Sequence, residues 1–159
     1  MAKWMGFPYE PHYRERESKY VTYEKEVLTE ILGYLEGREN NPEENVVVDT
    51  TGSAIYAGEE ILTRLRRYTT IVYLSTPPEL HGRLLEAYIS KPHPMVWRDA
   101  FSKGLNETND NALARCYPKL VSAREQLYER YAQVTIDYSR RSEKAFGVND
   151  FLRGVHGKA

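Results

Sequence analysis

The spacing of apolar residues along the chain predicts several helices. Over residues 18–35, apolar side chains recur on one helical face, and Gly37 stands where that helix would end. Shorter helical patterns cover residues 61–65 and the stretch after Thr76, where Thr76 is the predicted cap. A longer pattern covers residues 111–131, with a break expected at Pro118. These elements account for most of the periodic sequence.

Three short apolar segments between the helices predict strands. Residues 46–48 are an unbroken run of valines, which is typical of a strand buried on both faces of a parallel sheet. Residues 70–74 and 134–137 are the other two segments. Because the strands alternate with helices, the pattern predicts a three-layer α/β domain with a mainly parallel sheet of about three strands flanked by helices.

The remaining segments lack a clear period. Residues 1–16 contain two prolines and are expected to form an irregular lead-in. Residues 91–109 contain Pro92, Pro94 and Gly104 and are expected to form a mobile surface excursion, which is a candidate lid. Asn149 is placed to cap a last helix over residues 150–155.

Composition limits the domain number and the classes of partner. A chain of 159 residues with 41% hydrophobic content can bury one sizeable core, so residues 1–159 are expected to form a single domain. The 22 basic and 23 acidic residues nearly balance, which gives no reason to expect a nucleic acid or a membrane as partner. Without an apolar run of about 18 residues or a signal-peptide pattern, the sequence predicts a soluble cytoplasmic protein.

Cysteine and histidine usage gives no sign of a metal or a disulfide. The single cysteine, Cys116, lies in an apolar-periodic stretch and is expected to be a buried thiol. The four histidines are not spaced as metal ligands, and no HExxH or CxxC motif occurs, so no structural metal is expected.

The strongest candidate for chemistry is the polar segment that follows the valine run. Residues 49–54 read Asp-Thr-Thr-Gly-Ser-Ala, which places a carboxylate, three hydroxyls and a glycine at a predicted strand exit. In open parallel sheets, ligands bind beyond the carboxyl ends of the strands. Asp49, Thr51, Gly52 and Ser53 are therefore candidate ligand-binding residues, although they could equally serve only to cap and turn the chain. Residues 52–55 do not complete the GxSxG elbow of a serine hydrolase.

The order of these features resembles shikimate kinase and its relatives among the P-loop kinases. The resemblance spans nearly the whole chain and is carried by short motifs in a fixed order: helix 18–35, turn 50–54, strand 70–74, the helix after Thr76, the segment 91–109, an Arg-x-x-Leu-Tyr motif at 124–128 and strand 134–137. Thr51 and Ser53 stand where that family has glycines.

The resemblance implies roles for several basic residues. It implies that Arg124 binds a substrate carboxylate, that Lys91 or Arg98 supplies the lid cation at a transferring phosphoryl group, and that Arg140 or Arg141 lies against the adenine of ATP. It also implies a substrate with a hydroxyl and possibly a carboxylate, with ATP and Mg²⁺ as cofactors of the complete kinase.

One motif of that family is missing from the sequence. No G-x-x-x-x-G-K-[ST] loop occurs, nor a strand to precede it, so the chain is expected to be a truncated kinase that is inactive alone and binds ATP poorly. The gap in the predicted sheet would be closed by rearrangement, by the lead-in segment, or by another chain in a homo-oligomer. The alternative hypothesis is a non-catalytic ligand-binding or oligomerisation module on the same scaffold.

Overall fold

The protein is mainly helical. The computed structural model describes residues 4–37, 45–91, 93 and 95–157. Within these ranges the helices are α1 (Tyr13–Gly37), α2 (Glu59–Tyr68), α3 (His81–Ser90), α4 (Asn109–Tyr131), α5 (Tyr138–Arg141) and α6 (Val148–His156). Short 3₁₀ turns lie at Ala54–Tyr56, Pro78–Leu80 and Arg98–Ala100. The strands are β1 (Val72–Leu74) and β2 (Val134–Ile136).

The predicted three-layer α/β architecture is wrong. β1 and β2 form a parallel pair in which Val72 is opposite Val134, and the described part of the chain contains no further strand. The valine run at 46–48 is not a strand, and Val47 is 89% exposed. A β-branched run forms a stable strand only where a neighbouring strand accepts its hydrogen bonds, and the described residues provide none for this segment.

The helices agree with the sequence pattern better than the strands do. α1 begins at Tyr13, so the last residues of the expected lead-in are helical. α4 continues through Pro118, and the expected break is absent. Because Leu113, Cys116 and Leu120 are all buried on this helix, packing on both sides of the proline outweighs the lost backbone hydrogen bond.

Neither predicted helix cap is formed. Thr76 lies outside a 3₁₀ turn whose flanking residue is Pro77, and no side chain caps that turn. α6 starts after Gly147 and not after Asn149, and the Asp150 carboxylate accepts a hydrogen bond of 2.9 Å from the Gly147 amide. Both differences shift a helix start by a few residues without removing a helix.

The larger core surrounds the Trp97 indole. Trp97 is 0% exposed, and its Nε1 lies 3.4 Å from the Tyr88 hydroxyl oxygen, to which it donates. The other buried members are Met5, Tyr13, Tyr88, Met95, Leu113, Cys116, Tyr117 and Leu120. Cys116 is a buried free thiol, as expected. Residues 95–97 therefore belong to the core, although they lie within the segment predicted to be a surface excursion.

A smaller cluster joins α1 to α2. Leu28 and Leu32 on α1 pack with Ala57 and with Ile61 on α2, and all four are buried. The 3₁₀ turn Ala54–Tyr56, which precedes α2, also packs on α1. This arrangement holds the polar segment before that turn against the middle of α1.

The Trp97 core gives the first test of the fold. Trp97→Ala should lower the free energy of unfolding by about 3–5 kcal/mol, since it leaves a large cavity among aromatic side chains. Leu105→Ala is the matched control, because Leu105 is fully exposed and its truncation should change stability by about 0.5 kcal/mol or less. Urea unfolding followed by circular dichroism measures both variants, and equal midpoints would contradict the assigned core.

The segment that follows this core is tied to α4 by an ion pair. Arg115 donates to both carboxylate oxygens of Glu107, each at 2.7 Å, and also to the Ser102 carbonyl at 2.9 Å. The Gly104 amide donates to the same carboxylate at 2.9 Å. These donors lower the pKa of Glu107 from 4.5 to about 2, with the Arg115 hydrogen bonds as the largest cause. Residues 102–107 thus fold back on the start of α4.

The Glu107 ion pair predicts a pH-dependent contribution to stability. Because the folded-state pKa of Glu107 is depressed, its stabilising effect is complete above pH 4.5 and is lost as the pH falls toward about 2. Glu107→Gln should therefore unfold at lower urea than the wild type near neutral pH, and the difference should shrink across that window. Glu30→Gln, at an exposed position on α1, is the matched surface control. A difference for Glu107→Gln that persists at pH 2 would count against this account.

Candidate functional site

The polar turn at Gly52 meets α4. The Tyr128 hydroxyl donates to the Gly52 carbonyl at 2.7 Å. A Cβ built on Gly52 would lie 2.9 Å from that hydroxyl and 3.3 Å from Nη1 of Arg124. Arg124 and Tyr128 are four residues apart, which places them on one face of the helix. The structure therefore brings together the turn and the arginine that the sequence singled out.

A carboxylate on α1 binds the other side chains of this turn. Glu24 Oε1 accepts from the hydroxyls of Thr51 and Ser53, the latter at 2.8 Å, and Ser53 is buried. The second oxygen of Glu24 is buried without a hydrogen-bond partner. Sequence reasoning missed Glu24, because a single glutamate on a helix ordinarily faces solvent. In the folded protein, burial and the Glu24 charge raise the pKa of Tyr20, which lies one turn earlier on α1.

The Arg124 guanidinium connects this turn to the segment around Trp97. Nη2 donates to the Val96 carbonyl at 2.7 Å, whereas Nε is buried without a partner. The guanidinium carbon lies 5.8 Å from the centre of the Tyr56 ring, and the guanidinium carbon of Arg98 lies 5.7 Å from the same centre. Two cations thus contact one aromatic ring, an arrangement that offers several charged donors to an anionic ligand.

Arg98 is held in place by a buried carboxylate on α1. Glu17 is only 5% exposed, and its Oε1 accepts from the Trp97 amide at 2.6 Å and from the Arg98 amide at 2.9 Å. The Tyr13 hydroxyl donates to the same oxygen at 2.8 Å. Burial, followed by the Glu17 charge, raises the pKa of Tyr13 far above 10, so this phenol keeps its proton. Arg98 itself has φ +52°, a strained conformation for a residue with a side chain.

We call the combined set the Gly52–Arg98 cluster: Glu24, Thr51, Gly52, Ser53, Tyr56, Arg98, Arg124 and Tyr128. It joins α1, the turn before α2, the segment after α3, and α4. It contains one of the two predicted lid cations, Arg98. It also contains four of the predicted substrate-binding residues: Thr51, Gly52, Ser53 and Arg124. Its unpartnered buried atoms are Glu24 Oε2, an acceptor, and Arg124 Nε, a donor.

Beside this cluster lies a cavity of about 170 Å³. It is lined by Arg14, Glu17, Ser18, Arg98 and Asp99. Arg14 and Asp99 form an ion pair at 3.3 Å with both side chains largely exposed. The cavity therefore has charged side chains of both signs at its surface.

The other predicted site residues are not part of the cluster. Asp49 and Lys91 are exposed, and neither side chain takes part in a hydrogen bond or an ion pair in the part of the chain that the structure describes. Arg140 is also exposed, on the short helix α5 after β2. These three positions gain no support from the geometry around Gly52.

Arg141 joins the ends of the two strands. Its Nη2 donates to the Ser75 carbonyl at 2.9 Å and lies 3.3 Å from the Thr76 hydroxyl. Its guanidinium carbon is 4.9 Å from the centre of the Tyr138 ring, and its Nε is buried without a partner. Nη2 of Arg141 and its aromatic contact are thus used within the protein, at the ends of the strands.

The residues present do not fit ATP with Mg²⁺. The sequence lacks a glycine-rich phosphate loop with its lysine. Among the described residues there is also no group of three or more His, Cys, Asp or Glu side chains that could hold a metal ion. A nucleotide phosphate chain would therefore lack its amide cradle in this chain.

Comparisons with known proteins identify no relative. No family model, no curated protein and no solved structure matches the chain. Across the described ranges, none of the helices combines the length and the apolar character needed to cross a membrane.

Gly52 gives a direct test of the cluster. Gly52→Ala would place a methyl group against the Tyr128 hydroxyl and Arg124, so we expect it to break the Tyr128 hydrogen bond and to lower stability by about 1 kcal/mol. Gly82→Ala is the matched control, because nothing lies within 4 Å of its Cβ and alanine favours its helix. Thermal unfolding of both variants measures the effect. A Gly52→Ala protein as stable as the Gly82→Ala protein would contradict the close approach.

Proposed function

We propose that this chain binds a small hydroxyl-bearing acid at the Gly52–Arg98 cluster, as the acceptor-binding part of a small-molecule kinase that resembles shikimate kinase. The observation that carries the proposal is the contact between the Gly52 turn and Arg124, which are far apart in sequence. The proposal includes a cytoplasmic location.

The chemistry of the cluster suits such a ligand. A guanidinium binds a carboxylate through paired, charge-assisted hydrogen bonds, and Arg124 has an unpartnered Nε beside the turn. Glu24 has an unpartnered carboxylate oxygen, which accepts from a hydroxyl. Since both atoms are buried, ligand binding requires the Thr51 and Ser53 side chains to shift away from Glu24.

The proposal assigns no phosphoryl transfer to this chain alone. Arg98 is the cation that approaches the cluster and would neutralise an anionic group there. Without a phosphate-binding loop, no residue of the sequence positions the γ-phosphate for attack. Transfer would depend on a nucleotide-binding part that this sequence does not encode.

A non-catalytic ligand-binding module is the second candidate. The specific observation in its favour is the missing phosphate-binding loop, together with the hydrogen bond that holds the Gly52 turn against Tyr128 of α4. The two candidates share a ligand site and differ only in whether a nucleotide-binding partner restores transfer. A homo-oligomer remains part of this second proposal.

Binding of hydroxy acids tests the proposal. Isothermal titration calorimetry with D-glycerate and shikimate should show binding, and glycerol, which lacks the carboxylate, should bind more weakly. Arg124→Gln should weaken binding of the acids about tenfold or more, because a charged donor pair is lost. Arg130→Gln is the matched control on the same helix, where Arg130 pairs with Glu59 at the surface. Equal affinities for the Arg124→Gln and Arg130→Gln proteins would contradict the assignment.

A transfer assay tests whether the chain transfers phosphate without a separate nucleotide-binding part. With [γ-³²P]ATP and a bound hydroxy acid, the chain alone should give no labelled product. Labelled product from the chain alone would contradict the proposal that phosphoryl transfer needs a separate nucleotide-binding part.

A further inference from the structure

The cavity beside Arg98 is lined by a buried glutamate, Glu17, whose second carboxylate oxygen has no hydrogen-bond partner among the described residues. Glu17 lines this cavity, and all three of its donors converge on Oε1. Oε2 takes part in no hydrogen bond within the described ranges, and it is not fully enclosed. A carboxylate oxygen fixed in this way is an acceptor for a ligand that brings its own hydrogen-bond donor.

The same cavity contains a guanidinium without an ionic partner. Arg98 forms no ion pair with any residue that the structure describes, and its side-chain contact is with the Tyr56 ring. Arg14 is paired with Asp99, but both side chains are exposed, so the pair contributes little and can exchange partners. Ser18 adds a hydroxyl. The cavity therefore presents one free anionic acceptor and one free cationic donor group.

We propose that this cavity binds a small zwitterion, with its ammonium group on Glu17 and its oxyanion on Arg98 and Ser18. An anion without the ammonium would bring a second negative charge close to Glu17, and an amine without the oxyanion would bring a positive charge close to Arg98. A zwitterion pairs with both groups through charge-assisted hydrogen bonds.

The size of the cavity limits the ligand to a small one. At about 30 Å³ per water in the liquid, the 170 Å³ cavity holds the volume of about six waters. That volume matches a molecule of about six non-hydrogen atoms, such as a short amino acid. Arg14 and Asp99 line the cavity with exposed side chains, so a ligand can reach it from solvent without opening the Trp97 core.

This site goes beyond the proposed function, since Arg98 is the only residue it shares with the Gly52–Arg98 cluster. The two proposals can therefore fail separately. Hydroxy acids and zwitterions are titrated in separate experiments, so binding of one class without the other shows which proposal has failed.

Calorimetry with four matched probes tests the zwitterion site. β-Alanine should bind, and propionate and propylamine should each bind at least about tenfold more weakly, because each leaves one charged group unpaired. Phosphoethanolamine tests whether the oxyanion is a phosphate in place of a carboxylate. Binding of either zwitterion supports the site. Absence of binding by both, or equal binding by propionate, overturns it.

Variants assign the ligand contacts. Glu17→Gln keeps Oε1 as the acceptor for the buried donors and replaces the free oxygen by an amide, so it should weaken β-alanine binding about tenfold or more. Because this variant could also lower stability, Ser18→Ala at an exposed position provides a second test and should weaken binding several-fold. Arg153→Gln on α6 is the surface control. Unchanged β-alanine affinity in both the Glu17→Gln and Ser18→Ala proteins overturns the assignment.

Discussion

The carboxylate of Glu17 is the interaction on which the arrangement of the site depends. It lies inside the protein, where an unpaired carboxylate would be costly, and it is satisfied by one hydroxyl and two backbone amides. The amides belong to Trp97 and Arg98, some eighty positions further along the chain. A single oxygen thus fixes the start of α1 to the segment that precedes α4. The Tyr13 hydroxyl oxygen also lies 2.5 Å from the Met95 carbonyl oxygen, so its one proton is shared between Glu17 and the same segment.

This attachment explains why a segment without regular secondary structure is so well buried. Residues 95–97 belong to no helix or strand, and the Trp97 indole occupies the middle of the larger core. With the Trp97 amide bound by Glu17, the next residue is held in a conformation that is unfavourable for an arginine. The side chain of Arg98 consequently extends beside Tyr56, where Arg124 also lies. The strain at Arg98 is offset by the hydrogen bonds that the Trp97 and Arg98 amides donate to Glu17.

The helices and two of the three expected strands could be predicted correctly from the sequence, and the third expected strand is not formed. α1 and α4 are defined by local periodicity, and α4 passes through Pro118 because its buried face continues on both sides. A strand depends on a partner that is distant in sequence, so the valine run at 46–48 gave a false signal. The Gly52 turn was identified as the polar segment after the valine run, and Arg124 was identified through the resemblance to a known family. Glu17 and Glu24 were missed, since a single glutamate on a helix ordinarily faces solvent.

The Gly52–Arg98 cluster and the cavity share one backbone segment, residues 96–98, which both Arg124 and Glu17 bind. Arg124 binds the Val96 carbonyl, and the next two amides along the chain bind Glu17. A ligand that draws the Arg124 guanidinium toward the Gly52 turn would therefore pull on the backbone that positions Arg98. Conversely, a ligand in the cavity that holds the Arg98 side chain would change its contact with Tyr56 and hence the surroundings of Arg124. Because the shared segment is short and buried, the two ligand sites would influence each other's affinity with the same sign in both directions, as thermodynamic linkage requires.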